Sequence, residues 1–386
     1  MYKKSIPKEI LDFVDTIQKF VKKDCEPIDE LIEEQGKIPE SVVQKVRELG
    51  LFGMTIPPEY GGIGIGATGY CLVAKALGNA HGAFRGLIAV NNGIGSQAIL
   101  IAGSEAQKKK YLPDIASGKK IAAFCLTEPG AGSDAAAMTT TAVKDGKYWV
   151  LNGLKHFITN GPIADVHTVL ALTDKEKRAK GGITAFIVDK GTPGLKVGQL
   201  HHHMGSKAAV QSEMIFEDCR VPEENVIGNV GEGFRTAMKT LDIGRLTLAA
   251  SCIGYAEKLL KMGGDYAKVR VQFGKPIAEF QAIQWMLADC ATEIYAANSM
   301  MMDAALRYDA GERVGPLASM AKLYASEIAC KVADRILQVH GGMGYMVETK
   351  VERYYRELRL FRIVEGTSEI QRLVISRAVL KDEIQF

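Results

Sequence analysis

The stretch Phe124-Cys-Leu-Thr-Glu-Pro-Gly-Ala-Gly-Ser133-Asp134 is the richest in chemical possibility. An apolar strand end runs into a loop with two glycines, a threonine and a serine. Such a loop lets backbone N–H groups approach a phosphate or a flat heterocycle, because glycine removes the side-chain obstruction and permits positive φ. Taken alone, it reads equally as a Pro-Gly turn between strands. Four more groups follow in order: Phe157-Ile158-Thr159, Arg270-Val-Gln-Phe273-Gly274-Lys-Pro, Gln338-Val-His-Gly341-Gly342-Met-Gly344, and Ile363-Val-Glu365-Gly366-Thr367-Ser-Glu369-Ile-Gln371. An arginine such as Arg270 is a fixed charge with several donors suited to a pyrophosphate, against the plain alternative of a surface salt bridge. Phe157 offers a flat apolar platform. Glu365 has Phe361, Ile363 and Val364 before it and Gly366 after it, an apolar setting in which a carboxylate gains proton affinity once a ligand expels water. Its plain alternative is a surface glutamate on a loop.

Two patterns are weaker than they look. Gly64-Ile-Gly66-Ala-Thr-Gly69 satisfies G-x-G-x-x-G, but it follows Pro57-Pro58-Glu59-Tyr60-Gly61-Gly62 instead of a strand, and no acidic residue lies about twenty positions on to hold a ribose. The stretch is expected to be a flexible loop. His201-His202-His203 invites a metal assignment, yet neighbouring positions on an extended segment point to opposite faces, so an exposed loop and no metal are expected.

The elements that must position these groups fall into three blocks. Ile10, Val14, Ile17 and Val21 recur at helical spacing, and Pro39 with Val42, Val43, Val46 and Leu49 predicts a second helix stopped by Gly50. From about Phe124 to Glu217 the pattern becomes that of short strands: Tyr148 to Leu151, then an Asn152-Gly153 turn, Val166 to Leu172, Ile183 to Val188, and Met214 to Phe216. After Gly233 helical periodicity returns, with Ile283, Met286, Leu287, Cys290, Ile294 and Ala297 on one face and Ala321, Tyr324, Ile328, Val332 and Ile336 on another. Four long helices fit there, which predicts a bundle. Strands do not alternate with helices, so a doubly wound sheet is disfavoured.

A chain of 386 residues, 47% hydrophobic and 24% charged, is long enough for two or three packed units around a large core. A net charge of +3 gives no basic stripe for nucleic acid, and Lys108-Lys109-Lys110 reads as a solvated helix face. The seven cysteines (25, 71, 125, 219, 252, 290 and 330) contain no C-x-x-C pair, which fits a reducing compartment. Met1 to Pro7 runs into a segment with charges throughout, so no secretory signal is expected, and no uncharged stretch reaches membrane-spanning length. A cytoplasmic enzyme that engages neither nucleic acid nor membrane is the expectation.

The motifs quoted above, in this order, resemble those of the acyl-CoA dehydrogenase family along essentially the whole chain. The resemblance implies an α+β multi-domain fold: an N-terminal helical domain (1–120), a central β-barrel or sandwich domain that binds flavin (121–233), and a C-terminal four-helix bundle (234–386). It implies FAD as cofactor. Phe124, Leu126, Thr127, Gly132 and Ser133 would hold the flavin's pyrimidine edge and pyrophosphate, with Ser133 also on the substrate. Phe157, Ile158 and Thr159 would pack on the ring, the threonine near N5. Arg270 and Phe273, with Gln338, Gly341 and Gly342, would serve the cofactor of a neighbouring subunit, Gln281 would bind the cofactor, and Thr367 and Glu369 would touch it after the base. Asp242-Ile-Gly-Arg245 is similar to the family's substrate helix, so Asp242, Arg245 and Gly366 join Ser133 as substrate contacts.

By the same resemblance Glu365 is the base that takes the α-proton of an acyl-CoA thioester, giving the trans-2-enoyl-CoA as hydride passes to flavin N5. The α-proton is weakly acidic, so developing enolate charge needs donors at the carbonyl; the resemblance implies the Glu365 backbone N–H and a flavin ribityl hydroxyl. Some relatives place the base just before Arg245, but that position is Gly244 here. Electrons would pass to electron-transferring flavoprotein in fatty-acid or carboxylic-acid degradation such as β-oxidation, and the chain would form a homotetramer. The alternatives are an acyl-CoA oxidase or a non-redox lyase on the same fold, and a flavin-free helical scaffold.

Two departures bear on the acyl group. Val364 stands where several straight-chain-specific relatives carry tyrosine. Arg85, in His81-Gly-Ala-Phe84-Arg85-Gly86, stands where glutaryl-CoA dehydrogenases carry an arginine for the substrate's distal carboxylate, although their accompanying glutamate is Gly78 here. An unpaired buried cation is costly, so an Arg85 lining the acyl cavity points to a dicarboxylyl-CoA; the alternative is an arginine paired with a protein carboxylate.

Overall fold

Apolar residues at three- and four-residue spacing set the opening helices of the computed structural model, which describes residues 6–384. Met1–Ser5, the first part of the segment read for a secretory signal, lies outside the described residues. Helix α1 (Lys8–Phe20) buries Ile17 and Phe20; α2 (Asp29–Gln35) buries Ile32; α3 (Glu40–Glu48) buries Val42, Val43 and Val46. Pro39 caps α3 and Gly50, at φ 69°, ends it. Helices α4 (Gly66–Leu77), α5 (Gly82–Val90), α6 (Ser96–Ala102) and α7 (Glu105–Ala116) complete the first block.

The Gly64–Gly69 stretch is not a flexible loop throughout, because Gly66 opens α4. The Asp309 carboxylate accepts from Ala67 N at 2.6 Å and Thr68 N at 2.8 Å. A side chain of the chain itself thus fills the anion position at this helix start, where a dinucleotide would have put a phosphate.

The middle block is a sheet of β1 (Ala122–Cys125), β2 (Thr141–Asp145), β3 (Tyr148–Thr159), β4 (Val166–Leu172), β5 (Ile183–Asp189), β6 (Leu195–Leu200), β7 (Gln211–Pro222) and β8 (Val226–Ile227). Its order is β6-β7-β3-β2-β4-β5-β8, with β1 pairing parallel to β4. Asn152-Gly153 is not a turn. It lies inside β3 at a bulge against β7, and a Cβ at Gly153 would collide with Thr140. The chain reverses instead at Gly146-Lys147, between β2 and β3, where Gly146 has φ 58°. Consequently Phe157-Ile158-Thr159 forms the end of β3.

Helix α8 (Gly233–Val269) leads through a small hairpin, β9 (Val271–Gln272) and β10 (Lys275–Pro276), to α9 (Gln281–Asp309) and α10 (Gly315–His340); α11 (Val351–Leu358) and α12 (Ser368–Val379) close the chain. Three helices are long, not four. The fourth partner, α12, has only 12 residues and packs on α10, because the chain is broken at left-handed Lys350 and again at Glu365-Gly366.

One buried cluster joins α8, α9, α10 and α11, a second joins the N-terminal helices, and a third runs from α6 and α7 under β1, β4 and β5. Helix α4 crosses α8 closely at two glycines. A Cβ on Gly78 would stand 2.7 Å from Ser251 O, and one on Gly254 would collide with Lys75 O. This crossing brings the α4–α5 corner, and with it Arg85, over the first half of α8. No helix among the described residues is long and apolar enough to cross a membrane.

Candidate active site

Glu365 sits at φ 56° between a short 3-10 turn (Arg359–Arg362) and α12, and Gly366 follows at φ 92°. A left-handed glutamate is disfavoured on its own, so the surroundings must hold it. Gln371 Nε2 donates to Glu365 O at 3.1 Å and to Gly366 O at 2.9 Å, and Lys322 Nζ donates to Gly366 O at 2.7 Å. The next residue, Thr367, caps α12 by accepting from Ile370 N at 3.3 Å. Ser368 anchors the same helix start through Glu327, which also takes Arg362 Nε at 2.9 Å.

The turn delivers the Glu365 carboxylate to α8. Its Oε2 has no hydrogen-bond partner although it is buried, and a Cβ at Gly244 would collide with it. The bare backbone at Gly244 is thus what makes room for the carboxylate. Its Oε1 accepts from Arg85 Nη2 at 2.7 Å, the two side chains being 14% and 15% exposed. Arg85 also lies over the Phe361 ring, 5.1 Å from its centroid. Arg85 therefore is not the unpaired cation on which the cost argument rested. It has a protein carboxylate, and that carboxylate is Glu365. The tight α4–α8 crossing leaves Gly78 no room for the glutamate found in glutaryl-CoA dehydrogenases.

Beside Gly244 on α8, Arg245 Nη1 donates to Asp242 Oδ1 at 3.2 Å. Burial pulls the guanidinium's proton affinity down and pushes the Asp242 pKa up, and Arg245 Nε is buried without a partner.

A second set of candidates gathers on the β block. Phe157 is a left-handed residue, φ 58°, at a bulge of β3 between Lys155 and Ile158; the residue is 56% exposed, its ring beside His156 and His201. The histidine triplet lies after β6 with His201 packed there and only His202 fully exposed; His203 instead meets Gln211 at 3.0 Å, and Gln211 Nε2 donates to Thr159 Oγ1 at 3.3 Å. Ahead of the bulge, Lys155 turns inward. Its ammonium donates to Leu126 O at 3.1 Å and to Glu128 Oε1 at 2.8 Å, and Glu128 takes Thr139 N and Thr140 N as well. Burial opposes the Glu128 charge, but Lys155 and these donors hold its carboxyl down at about 2. This buried pair props the loop that carries Phe124, Leu126, Thr127, Gly132 and Ser133. A Cβ at Gly130 or Gly132 would meet nothing within 4 Å, so the outer side of the loop is open.

A third set lies apart. Arg270, Phe273, Gly341 and Gly342 line a cleft of about 860 Å³ with Tyr266, His340 and Met346, while Gln281 and Gln338 adjoin its lining residues Ala282 and Val339. No residue of the β block or of the Glu365 turn lines it. Phe273, at the hairpin tip, is 93% exposed. Thr367 and Glu369 border a small recess with Arg359 and Arg362.

Sequence reading missed Lys155, Glu128, Lys322 and Gln371 as site residues. The signal was present for the lysines, since each stands in an apolar context, yet a partner 27 or 44 positions away is not visible from spacing. Elsewhere, Glu33, His81 and Glu357 bring possible ligand atoms within 4.8 Å of one another. Glu33 already takes Arg356 and Lys207, and His81 Nδ1 accepts from Ala83 N, so the cluster reads as a charge-balanced joint between α2, α5 and α11.

Models of the acyl-CoA dehydrogenase N-terminal, middle and C-terminal domains match residues 7–119, 123–219 and 231–380. The chain is 45% identical over 350 residues to the caffeyl-CoA reductase-Etf complex subunit CarC of Acetobacterium woodii, covering 91% of this chain and 92% of that one. Butyryl-CoA dehydrogenase from Megasphaera elsdenii superposes with a TM-score of 0.94 at 37% identity, over 97% of this chain and 99% of the other. An acyl-CoA dehydrogenase complexed with FAD from Bacillus anthracis superposes with a TM-score of 0.91 at 34% identity, over 99% of this chain and 69% of that one.

Proposed function

The chain belongs to the acyl-CoA dehydrogenase family of FAD-dependent oxidoreductases, and from that premise we propose that Glu365 is the base that exchanges the α-proton of an acyl-CoA thioester. The observation that carries this reading is the Glu365 carboxylate set against the bare backbone of Gly244, with one oxygen buried and unpartnered. A carboxylate held this way is short of hydrogen-bond donors and retains a free lone pair for a proton.

The residues fit FAD. An aromatic ring turned outward by a left-handed bulge, an open-sided glycine loop braced by a buried ion pair, and exposed arginine and phenylalanine at a wide cleft suit a planar ring, a pyrophosphate and an adenine. Phe124, Leu126, Thr127, Gly132, Ser133, Phe157, Ile158 and Thr159 would hold the cofactor within the chain, with Thr367 and Glu369. When bound, the flavin supplies the hydride acceptor that no side chain can be.

The chain's own contribution is positional. Glu365 takes the α-proton, its backbone N–H donating to the substrate's carbonyl oxygen as negative charge develops there, while Ser133, Asp242, Arg245 and Gly366 orient the thioester. Read backwards, the same carboxylate returns a proton to Cα, so the arrangement serves a reductase as well as a dehydrogenase. The name of the Acetobacterium relative supports weighing both directions, and its Etf complex supports electron-transferring flavoprotein as the redox partner.

Because Arg270, Phe273, Gly341 and Gly342 lie apart from the Glu365 turn, they are read as serving the cofactor of a neighbouring copy in a homotetramer. Exposed Trp285 and Tyr295 on α9 supply apolar surface for such contacts. On the acyl group, the position of Arg85 in the family pattern, and not an unpaired charge, supports a substrate with a distal carboxylate, which would have to take the guanidinium over from Glu365 as it binds.

Adding butyryl-CoA or glutaryl-CoA anaerobically to the yellow protein tests the activity. Bleaching, slow recovery in air and fast recovery with electron-transferring flavoprotein support a dehydrogenase. Fast recovery in air makes it an oxidase, and no bleaching by any acyl-CoA, nor reoxidation by any enoyl-CoA, sinks the reading.

A further inference from the structure

Lys322 lies in the first half of α10, buried, and its ammonium forms no ion pair among the described residues. Its one hydrogen bond goes to a backbone oxygen, Gly366 O, at 2.7 Å. The groups that face it are Cys252 on α8, Glu365 beyond the turn, and the cations Arg245 and Arg85. Burial pulls its pKa down to about 8. A buried ammonium without a carboxylate partner is unfavourable, and a leucine or methionine would fill the same space without that cost. The lysine is therefore tied to what it grips.

What it grips is the left-handed turn. Gly366 O receives Lys322 Nζ and Gln371 Nε2, and Glu365 O receives Gln371 Nε2 again. With φ of 56° at Glu365 and 92° at Gly366, the two carbonyls are the turn's handles, and both are held from the α10–α12 side. The carboxylate is left to project the other way, towards α8 and Gly244.

We propose that Lys322 is a positioning residue which, with Gln371, clamps the Glu365–Gly366 carbonyls and so holds the Glu365 carboxylate against Gly244. The proposal rests on the reading of Glu365 as the base. Lys322 does not itself touch substrate: it is shut off from solvent, and the hydrogen bond it makes goes to the backbone of the turn.

The test uses the FAD-loaded enzyme and a 3-thia-acyl-CoA, whose sulfur in place of the β-carbon leaves no hydride to transfer. Mass spectrometry in D2O then reads α-hydrogen exchange alone. Lys322→Met should keep its FAD and bind the thioester within about twofold, yet exchange roughly thirtyfold more slowly, the equivalent of one charge-assisted hydrogen bond. Lys322→Gln, which keeps a donor without the charge, should recover most of the rate. Exchange in Lys322→Met at the wild-type rate overturns the clamp, as does equal loss of thioester binding and exchange. If Lys322→Met does not fold, Gln371→Leu decides: slowed exchange supports the clamp and undiminished exchange overturns it. Absent exchange in the wild type, or full exchange in Glu365→Gln, sinks the base itself and is thereby told apart from failure of the clamp.

Discussion

Arg85 Nη2 and Glu365 Oε1 stand 2.7 Å apart, an ion pair between residues 280 positions distant in the chain. The cation in the first turn of α5 and the carboxylate ahead of α12 pair through these two atoms, leaving Glu365 Oε2 unpartnered. A substrate that brings its own carboxylate can replace Glu365 at the guanidinium; one with a methyl end cannot.

Replacing Arg85 with glutamine should therefore act unevenly. The kcat/KM for glutaryl-CoA should fall roughly thirtyfold further than that for butyryl-CoA, since only the former loses a charge-assisted hydrogen bond. Parallel assays of the two thioesters check this, and equal losses would argue against the carboxylate role.

Gly244→Ala places a methyl group where Glu365 Oε2 now lies. The carboxylate must move, and a displacement of about 1 Å in a reacting group costs on the order of a hundredfold in kcat. FAD content should change little, because the added methyl would meet only the Glu365 carboxylate, whereas thermal stability should fall, since the turn is held by Lys322 and Gln371. Stopped-flow reduction of the variant by acyl-CoA measures the loss.

Glu128 gives a pH signature. Its folded pKa of about 2 lies below the ordinary 4.5, so its contribution to stability is fully present above 4.5 and is lost as pH falls towards about 2. Glu128→Gln should be less stable than wild type at pH 7, with Lys155 left unpaired, and the gap should narrow between pH 4.5 and 2. Urea unfolding at a series of pH values reads the gap directly. Loss of FAD from the variant should accompany it, since the pair braces the 124–133 loop.

The cleft of Arg270 and Phe273 predicts complementation. Arg270→Ala and Glu365→Gln should each be inactive alone. Dissociated and reassociated together they should regain activity, because a Glu365→Gln subunit can lend its Arg270 to a neighbour with an intact base. No recovery in demonstrably mixed oligomers would place Arg270 in its own subunit's site.

Much of this was legible from spacing. The inward faces of α1, α3, α9 and α10 follow from apolar residues three and four apart, and the β block from alternation between glycine and proline turns. Where local chemistry and tertiary packing compete, the sequence misleads. Asn152-Gly153 is a good turn pair, but β7 runs alongside it and Thr140 needs the bare backbone, so the strand continues through a bulge. Gly66 begins a helix because Asp309, 242 positions after Ala67, accepts the Ala67 N–H and caps it. The fourth long helix is absent because glycine and left-handed residues break the chain after α10. In the site, Glu365 could be named from its motif, whereas the Arg85 pair, the Lys155–Glu128 brace and the Lys322–Gln371 contacts arise only when distant elements are packed together.

The most direct measurement is anaerobic reduction of FAD-loaded Glu365→Gln by acyl-CoA, followed at the flavin absorbance. A glutamine occupies the same space and cannot take a proton, so bleaching should slow by about a thousandfold or more while thioester binding persists. Bleaching at the wild-type rate, with the cofactor still bound, would contradict the assignment of Glu365 as the base.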